Sequence, residues 1–228
     1  MNEVAARKRK IVIIGTGGKG RDVLGLLSAH NAAGRQPKYE VLGFLTSTWD
    51  EHGTELCGMP VLGPEDLIVD QDEADGVWAV CAIAESKART NVTQNLMERG
   101  VSFATAVHPG AHVCEDAVIA TGSIVGAGAV LGSQAQIGRH VMIDANATIG
   151  HDASVEDFVT VAAGARVSEY AAIGQGAELG PNCVIAPHAQ VGRGAIIEAG
   201  VVVSGHVDGH GVVSGSFAEV IRKLAEDP

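Results

Sequence analysis

His151 and Asp152 stand side by side in Ile149-Gly150-His151-Asp152-Ala153-Ser154-Val155, within a long run of Ala, Gly, Val and Ile. An imidazole can take up a proton near neutral pH. A carboxylate on its other ring nitrogen would fix the tautomer and favour the imidazolium. A second stretch with chemical potential is Gly15-Thr16-Gly17-Gly18-Lys19-Gly20. It follows an apolar run and opens a helical pattern, so its backbone N–H groups could hold a phosphate. A dinucleotide site would also want an acidic residue at the end of the second strand, but Leu45 is followed by Thr46 and Ser47, which argues against a dehydrogenase. Cys57, Cys81, Cys114 and Cys183 lie too far apart for paired metal ligands. They read as buried thiols of a reducing compartment, and no metal is expected.

The elements that must position these residues fall into two textures. Up to Val107, short apolar runs alternate with helical patterns. Ile11–Ile14, Val41–Leu45, Val77–Ile83 and Phe103–Val107 read as buried strands, with helices over Arg21–His30 and Glu85–Arg99. That alternation implies a small Rossmann-like α/β domain with a parallel sheet of about four strands, over residues 1–107. The basic run from Ala6 to Lys10 precedes an apolar run that stops at Gly15, too short for export or anchoring. A cytoplasmic protein without membrane attachment is expected. A net charge of −11 argues against a nucleic-acid partner.

From Val113 to Val203 an aliphatic residue recurs at every sixth position, usually followed by a small one, as in Gly126, Gly132, Gly138 and Gly150. Neither a helix nor a flat sheet has that period. It is the hexapeptide repeat of a three-sided β-solenoid, in which three repeats complete a coil of eighteen residues. The aliphatics point inward and stack coil upon coil, which suits a chain with 46% hydrophobic but only 4% aromatic residues. Residues 108–228 therefore form the second domain. The pattern fades after Val207, and Ser216–Ala225 reads as a terminal helix or strand extension capping the open end. His151 falls two positions after an aliphatic and must point outward; His140, His188 and His206 do so as well, and an ordinary solvated histidine would look the same.

With IVIIGTGGKGRDV near the start, VHPGA at Val107–Ala111 and IGHDASVEDFVTVAAGA at Ile149–Ala165, the chain resembles the bacterial sugar acetyltransferases of the left-handed β-helix type. That family is typified by sialic acid O-acetyltransferase and UDP-N-acetylbacillosamine N-acetyltransferase, and the likeness runs from Lys10 to about Arg222. It implies a left-handed parallel β-helix, an exception to the usual crossover hand. It also implies acetyl-CoA as co-substrate, with His151 as general base and Asp152 on its other ring nitrogen. Thr160, where the family often has a second histidine, would meet the thioester region. Pro181 and Ala199 would touch the coenzyme through backbone.

The resemblance assigns the glycine-rich loop to a nucleotide-linked acceptor, giving Gly17, Gly18, Lys19, Thr46 and Ser47 as its contacts. Lys19 replaces a usual histidine, Thr46 and Ser47 replace acidic residues, and Ala84-Glu85 replaces a Gly-Asn pair. Family members are homotrimers with active sites at subunit boundaries, so self-association is expected. The acceptor group is read as the amine of an amino sugar. Acetylation of a sugar hydroxyl or of a non-sugar small molecule stands as the alternative, and a non-catalytic solenoid scaffold is the reading from another class.

Overall fold

The computed structural model describes residues 8–69 and 76–215. The chain opens with β1 (Arg9–Ile14), α1 (Gly18–Ala32) and β2 (Tyr39–Thr46), then a short β3 (Glu55–Leu56) and β4 (Met59–Pro64). After these come β5 (Trp78–Cys81) and α2 (Ser86–Glu98). They make one five-stranded sheet in the order β3-β4-β2-β1-β5. β1 pairs in parallel with β2 and β5, and β2 in parallel with β4, while β3 and β4 run antiparallel.

Both expected helices form. α2 begins where the sequence places its cap, with the Glu85 carboxylate accepting from the backbone N–H groups of Lys87 and Ala88. The sheet differs from a four-strand expectation in two ways. β3 and β4 form a hairpin that Pro60 and Gly63 hide from a strand reading. The expected strand Phe103–Val107 is divided, since Phe103 makes only a single bridge to Ala79, whereas Ala106–Val107 pairs with Ile124–Val125 and already belongs to the solenoid.

From Ala106 on, two-residue strands wind into three parallel sheets. Face 1 has seven strands, from Ala106–Val107 to Val212–Val213; face 2 has six, from His112–Val113 to Val202–Val203; face 3 has six, from Val118–Ile119 to His206–Val207. Register partners lie eighteen residues apart, as in Val130↔Thr148 and Leu131↔Ile149. This is the solenoid expected from the repeat, of the left-handed type that the family resemblance implies. Inward aliphatics stack in columns, such as Leu131, Ile149, Val167, Ile185 and Val203, all nearly inaccessible. The small residue after each aliphatic is needed because coils stack closely at the corners. A Cβ at Gly132 would sit 2.7 Å from the backbone nitrogen of His151.

The last coil departs from the rule. Gln190 pairs with His206 and Ile196 with Val212, each sixteen residues on, so two residues are missing between faces 2 and 3. That shortening is why the six-residue rhythm fades near Val207 although the solenoid runs on to Val213. The terminal cap expected at Ser216–Ala225 lies outside the described residues.

The α/β domain covers face 1. Ile124 and Met142, outward residues of that face, are buried in the same cluster as Leu26, Leu27 and Tyr39. Arg89 of α2 is 1% exposed and reaches across. Its Nε donates to the His140 carbonyl (3.0 Å), Nη1 to the carbonyls of Ile83 and Ala84 (2.8 Å each), and Nη2 to the Phe158 carbonyl (2.8 Å) and the Thr160 hydroxyl (2.9 Å). Burial lowers its pKa from the ordinary arginine range.

This docking overturns one surface expectation. His140 points outward from the solenoid yet is buried, stacked on Phe158 and edge-to-face with Phe103. Among the described residues, neither ring nitrogen has a hydrogen-bond partner. Burial first, then the cations of Arg89 and Arg139, lower its pKa to about 4, with the Asp157 carboxylate opposing. The unfolded chain takes this proton below about pH 6.5, while the folded chain resists until about pH 4. The neutral ring therefore contributes stability at pH 7 that is lost between those values, roughly 3 kcal/mol at most. Urea unfolding from pH 7 down to pH 4.5 should show this loss, and His140→Phe should flatten it. An unchanged slope in the variant would assign the pH dependence to other groups.

The cysteines are free, and the expectation of four buried thiols holds for Cys81 and Cys183 but not for Cys57, which is exposed, or Cys114, which is half-buried. Cys57 sits in the turn between β3 and β4, a hairpin at the edge of the sheet. Among the described residues, no helix is long and apolar enough to cross a membrane.

Candidate active site

His151 lies at the corner between faces 2 and 3, directly after the strand Thr148–Ile149. Its side chain is 52% exposed, as an outward position requires. Nδ1 lies 2.8 Å from Oδ2 of Asp152, and among the described residues Nε2 has no hydrogen-bond partner. Asp152 reaches back to its neighbour because its backbone is left-handed, with φ at +57°. Aspartate tolerates that region better than most residues. The carboxylate thus engages one ring nitrogen and leaves the other facing solvent, an arrangement that a general base would require.

The glycine-rich loop forms as expected. The Gly15 N–H donates to the Leu45 carbonyl, which holds the loop against the end of β2, next to Thr46 and Ser47. Gly20 is needed for close approach, since a Cβ there would collide with the Gly15 carbonyl. Gly17 caps α1 with extended backbone and no side-chain bond, so the first N–H groups of the helix at exposed Gly18 and at Lys19 remain for a ligand.

Lys19 turns from this loop into a cleft of about 460 Å³ between α1 and the corner joining faces 1 and 2. Its Nζ lies 2.6 Å from Oδ2 of Asp144, with 30% and 14% of the two side chains exposed. His108 and Met142 also line the cleft. Asp144 and His108 are site residues that the sequence reading missed. Asp144 carries a signal in the repeat that it shares with Glu156 and Glu198, an acidic residue after an aliphatic where Gly or Ala is usual.

Thr160 lies on face 1 beneath the α/β domain. Its hydroxyl donates to the Ala84 carbonyl at 3.1 Å and accepts from Arg89, so it is engaged in docking. Pro181 and Ala199 are exposed on the corner joining faces 1 and 2, one coil apart, where the Gly200 N–H donates to the Pro181 carbonyl. They continue the column of Ala127, Ala145 and Ala163 that lines the cleft. Within one chain, face 2 separates this column from His151, which does not line the cleft. The chain therefore brings Gly17, Gly18, Lys19, Thr46 and Ser47 to one side, and places His151 with Asp152 on the next corner. Among the described residues, no group of three or more His, Cys, Asp or Glu side chains could hold a metal ion.

Two family descriptions match: the PglD N-terminal domain over residues 10–96 and the bacterial transferase hexapeptide, of six repeats, over 134–169 and 170–205. No curated protein matches by sequence. Among solved structures, the acetyltransferase domain of PglB from Neisseria gonorrhoeae, in complex with acetyl coenzyme A, is 26% identical with a TM-score of 0.82, covering 92% of this chain and 97% of that one. WeeI from Acinetobacter baumannii is 26% identical with a TM-score of 0.79 and coverage of 91% and 97%. A variant of perosamine N-acetyltransferase from Caulobacter crescentus, in complex with CoA and GDP-perosamine, shares the fold at 23% identity, with a TM-score of 0.80 and coverage of 90% and 93%. A PglD-type domain docked on one face of a hexapeptide solenoid, with an outward His-Asp pair on a free corner, gives this chain the domain pair and fold of the bacterial sugar acetyltransferases of the left-handed β-helix type.

Proposed function

We propose that the protein is an acetyl-CoA-dependent N-acetyltransferase acting on the amine of a nucleotide-linked amino sugar. The observation that carries this reading is the His151–Asp152 pair, with Nδ1 held at 2.8 Å and Nε2 turned outward. In this mechanism His151 Nε2 removes a proton from the acceptor amine as its lone pair attacks the thioester carbonyl. The N–C bond forms and the C–S bond breaks. The imidazolium, stabilised by Asp152, returns the proton to the departing thiolate. The acceptor's diphosphate would lie at the Gly17–Gly18 backbone near Lys19, with its nucleoside toward Thr46 and Ser47.

The same reading makes the enzyme a homotrimer. Each His151 corner would face the Pro181–Ala199 column and the Lys19 cleft of a neighbouring copy, with the coenzyme's pantetheine arm between them and Thr160 behind it. Face 2, which separates the two columns, presents exposed Val130 and Val202 that such packing would cover. The α/β part, up to about Thr105, then serves as the acceptor domain and the solenoid from Ala106 on as the acyl-transfer domain. Because acetyl-CoA is an intracellular metabolite, the setting is cytoplasmic.

Thiol release from acetyl-CoA, followed against a panel of UDP-, dTDP- and GDP-linked amino sugars, tests this reading. Turnover with at least one is expected. Coenzyme binding without turnover on any would reject the acceptor class, and absence of coenzyme binding would reject the enzyme. Lys19→Met should raise the acceptor KM roughly tenfold by removing a charge-assisted contact, with the KM for acetyl-CoA unchanged. Equal rises in both constants would count against an acceptor role for the cleft.

A further inference from the structure

The corner that carries His151 also carries two rings that the proposed chemistry does not use. Tyr170 follows Asp152 by one coil and His188 follows Tyr170 by another. All three have left-handed backbone, with φ of +57°, +57° and +60°. The next corner round the prism fills its equivalent positions with Gly128, Asn146, Gly164, Asn182 and Gly200, residues suited to that region. A bulky aromatic there is a backbone outlier. Burial does not compensate for it, because Tyr170 remains 50% exposed.

The contacts of Tyr170 explain its presence. Its ring is parallel to that of His188, with centroids 5.0 Å apart and an interplanar angle of 2°. That separation is close to the strand spacing of a sheet, so the two rings stack along the solenoid axis. One face of Tyr170 is thereby turned to His188, and the other is turned toward the coil that bears His151. The His151 ring stands perpendicular to Tyr170, at 89° and 5.2 Å between centroids. The imidazole therefore meets the Tyr170 face edge-on.

From this geometry we infer that Tyr170 is a positioning residue for His151. Its π face is the second anchor of the imidazole after Asp152, and its quadrupole stabilises the imidazolium that forms as the acceptor amine loses its proton. His188 stacks on the far side and holds the tyrosine ring flat. The inference rests on the proposed role of His151 as base, and it adds a specific electrostatic partner to that base.

The test compares Tyr170→Gly with Tyr170→Phe, using acetyl-CoA and whichever amino-sugar nucleotide of the panel above supports turnover. Tyr170→Gly relieves the left-handed strain, so it should melt at the same or a higher temperature and keep the oligomeric state of the parent. Its kcat should fall roughly three- to thirty-fold with the KM for acetyl-CoA little changed. Tyr170→Phe keeps the ring and should keep kcat. Independently of any acceptor, NMR of histidine-labelled protein should show ring-current shifts on the His151 protons that vanish in Tyr170→Gly and persist in Tyr170→Phe. Full turnover in Tyr170→Gly, loss of turnover through loss of the assembly, or unshifted His151 protons in the parent would each overturn the inference. Failure of the underlying reading is distinguishable: then His151→Ala itself would turn over normally, whatever residue stands at 170.

Discussion

His151→Ala should lower kcat by roughly two to four orders of magnitude while leaving the fold and the oligomeric state unchanged. The side chain is half-exposed and its polar contact is with its own neighbour, so removal opens no cavity. The loss falls on the transition state, where a proton must leave the attacking nitrogen, and the KM for acetyl-CoA should move little. Asp152→Asn should be the milder variant. It keeps a side chain able to tolerate the left-handed corner but removes the charge that favours the imidazolium. Steady-state thiol release across both variants checks this. Near-native turnover in His151→Ala would remove the base from the mechanism and leave the solenoid without its assigned chemistry.

The second large effect is expected at Arg89. Its guanidinium is inaccessible, and its acceptors are backbone carbonyls from both domains, that of Val159 included, together with the Thr160 hydroxyl. Arg89→Ala would leave several buried carbonyls without donors and a void between α2 and face 1. A loss of about 3–5 kcal/mol follows from comparable deletions of buried hydrogen-bonded groups. Arg89→Lys should rescue little, because a single ammonium cannot reach acceptors spread over a planar fork. Ser86 would then tie the start of α2 to the solenoid, through its N–H to Glu178 and its hydroxyl to the Phe158 carbonyl, together with the Thr160 hydroxyl on the Ala84 carbonyl. Thermal melting, read with hydrogen exchange along α2, checks this expectation. A melting temperature within 2 °C of the parent would show that the apolar contact of Ile124 and Met142 suffices to dock the domain.

Legibility in the sequence followed the range of the forces involved. The solenoid was readable because its core repeats: Ile143, Ile149, Val155 and Val161 each bury one side chain in a fixed cycle, and the cycle shows in the chain itself. The ends of α2 were readable because capping is local, as at Glu85, whereas α1, which has no side-chain cap, starts at Gly18 and not at the expected Arg21. His151 was placed correctly on the outside by the same count. What stayed hidden depends on the docking of one domain on the other. His140 obeys the rule for an outward residue and is buried only because Phe103 and the α/β domain lie over it. Arg89 looks like any cation on a helix, and no spacing announces that six oxygens, counting the Val159 carbonyl, converge on it. The hairpin of β3 and β4 was missed because two-residue pairing leaves too little alternation to read. Asp144 was only partly readable: it is a carboxylate in a slot where Gly or Ala is usual, but Glu156 and Glu198 occupy the same slot without lining the cleft.

The shortened final coil has a consequence for what this chain can accept as change. Two residues are absent at the bend around Ser204 and Gly205, yet His206 and Val212 recover their pairing and the column below them continues. Length is thus negotiable at a bend, whereas a single inserted residue inside a two-residue rung would turn every later aliphatic toward water. Fusions, epitope tags or natural length variants should accordingly be tolerated at Ser204–Gly205 and rejected in the rungs on either side.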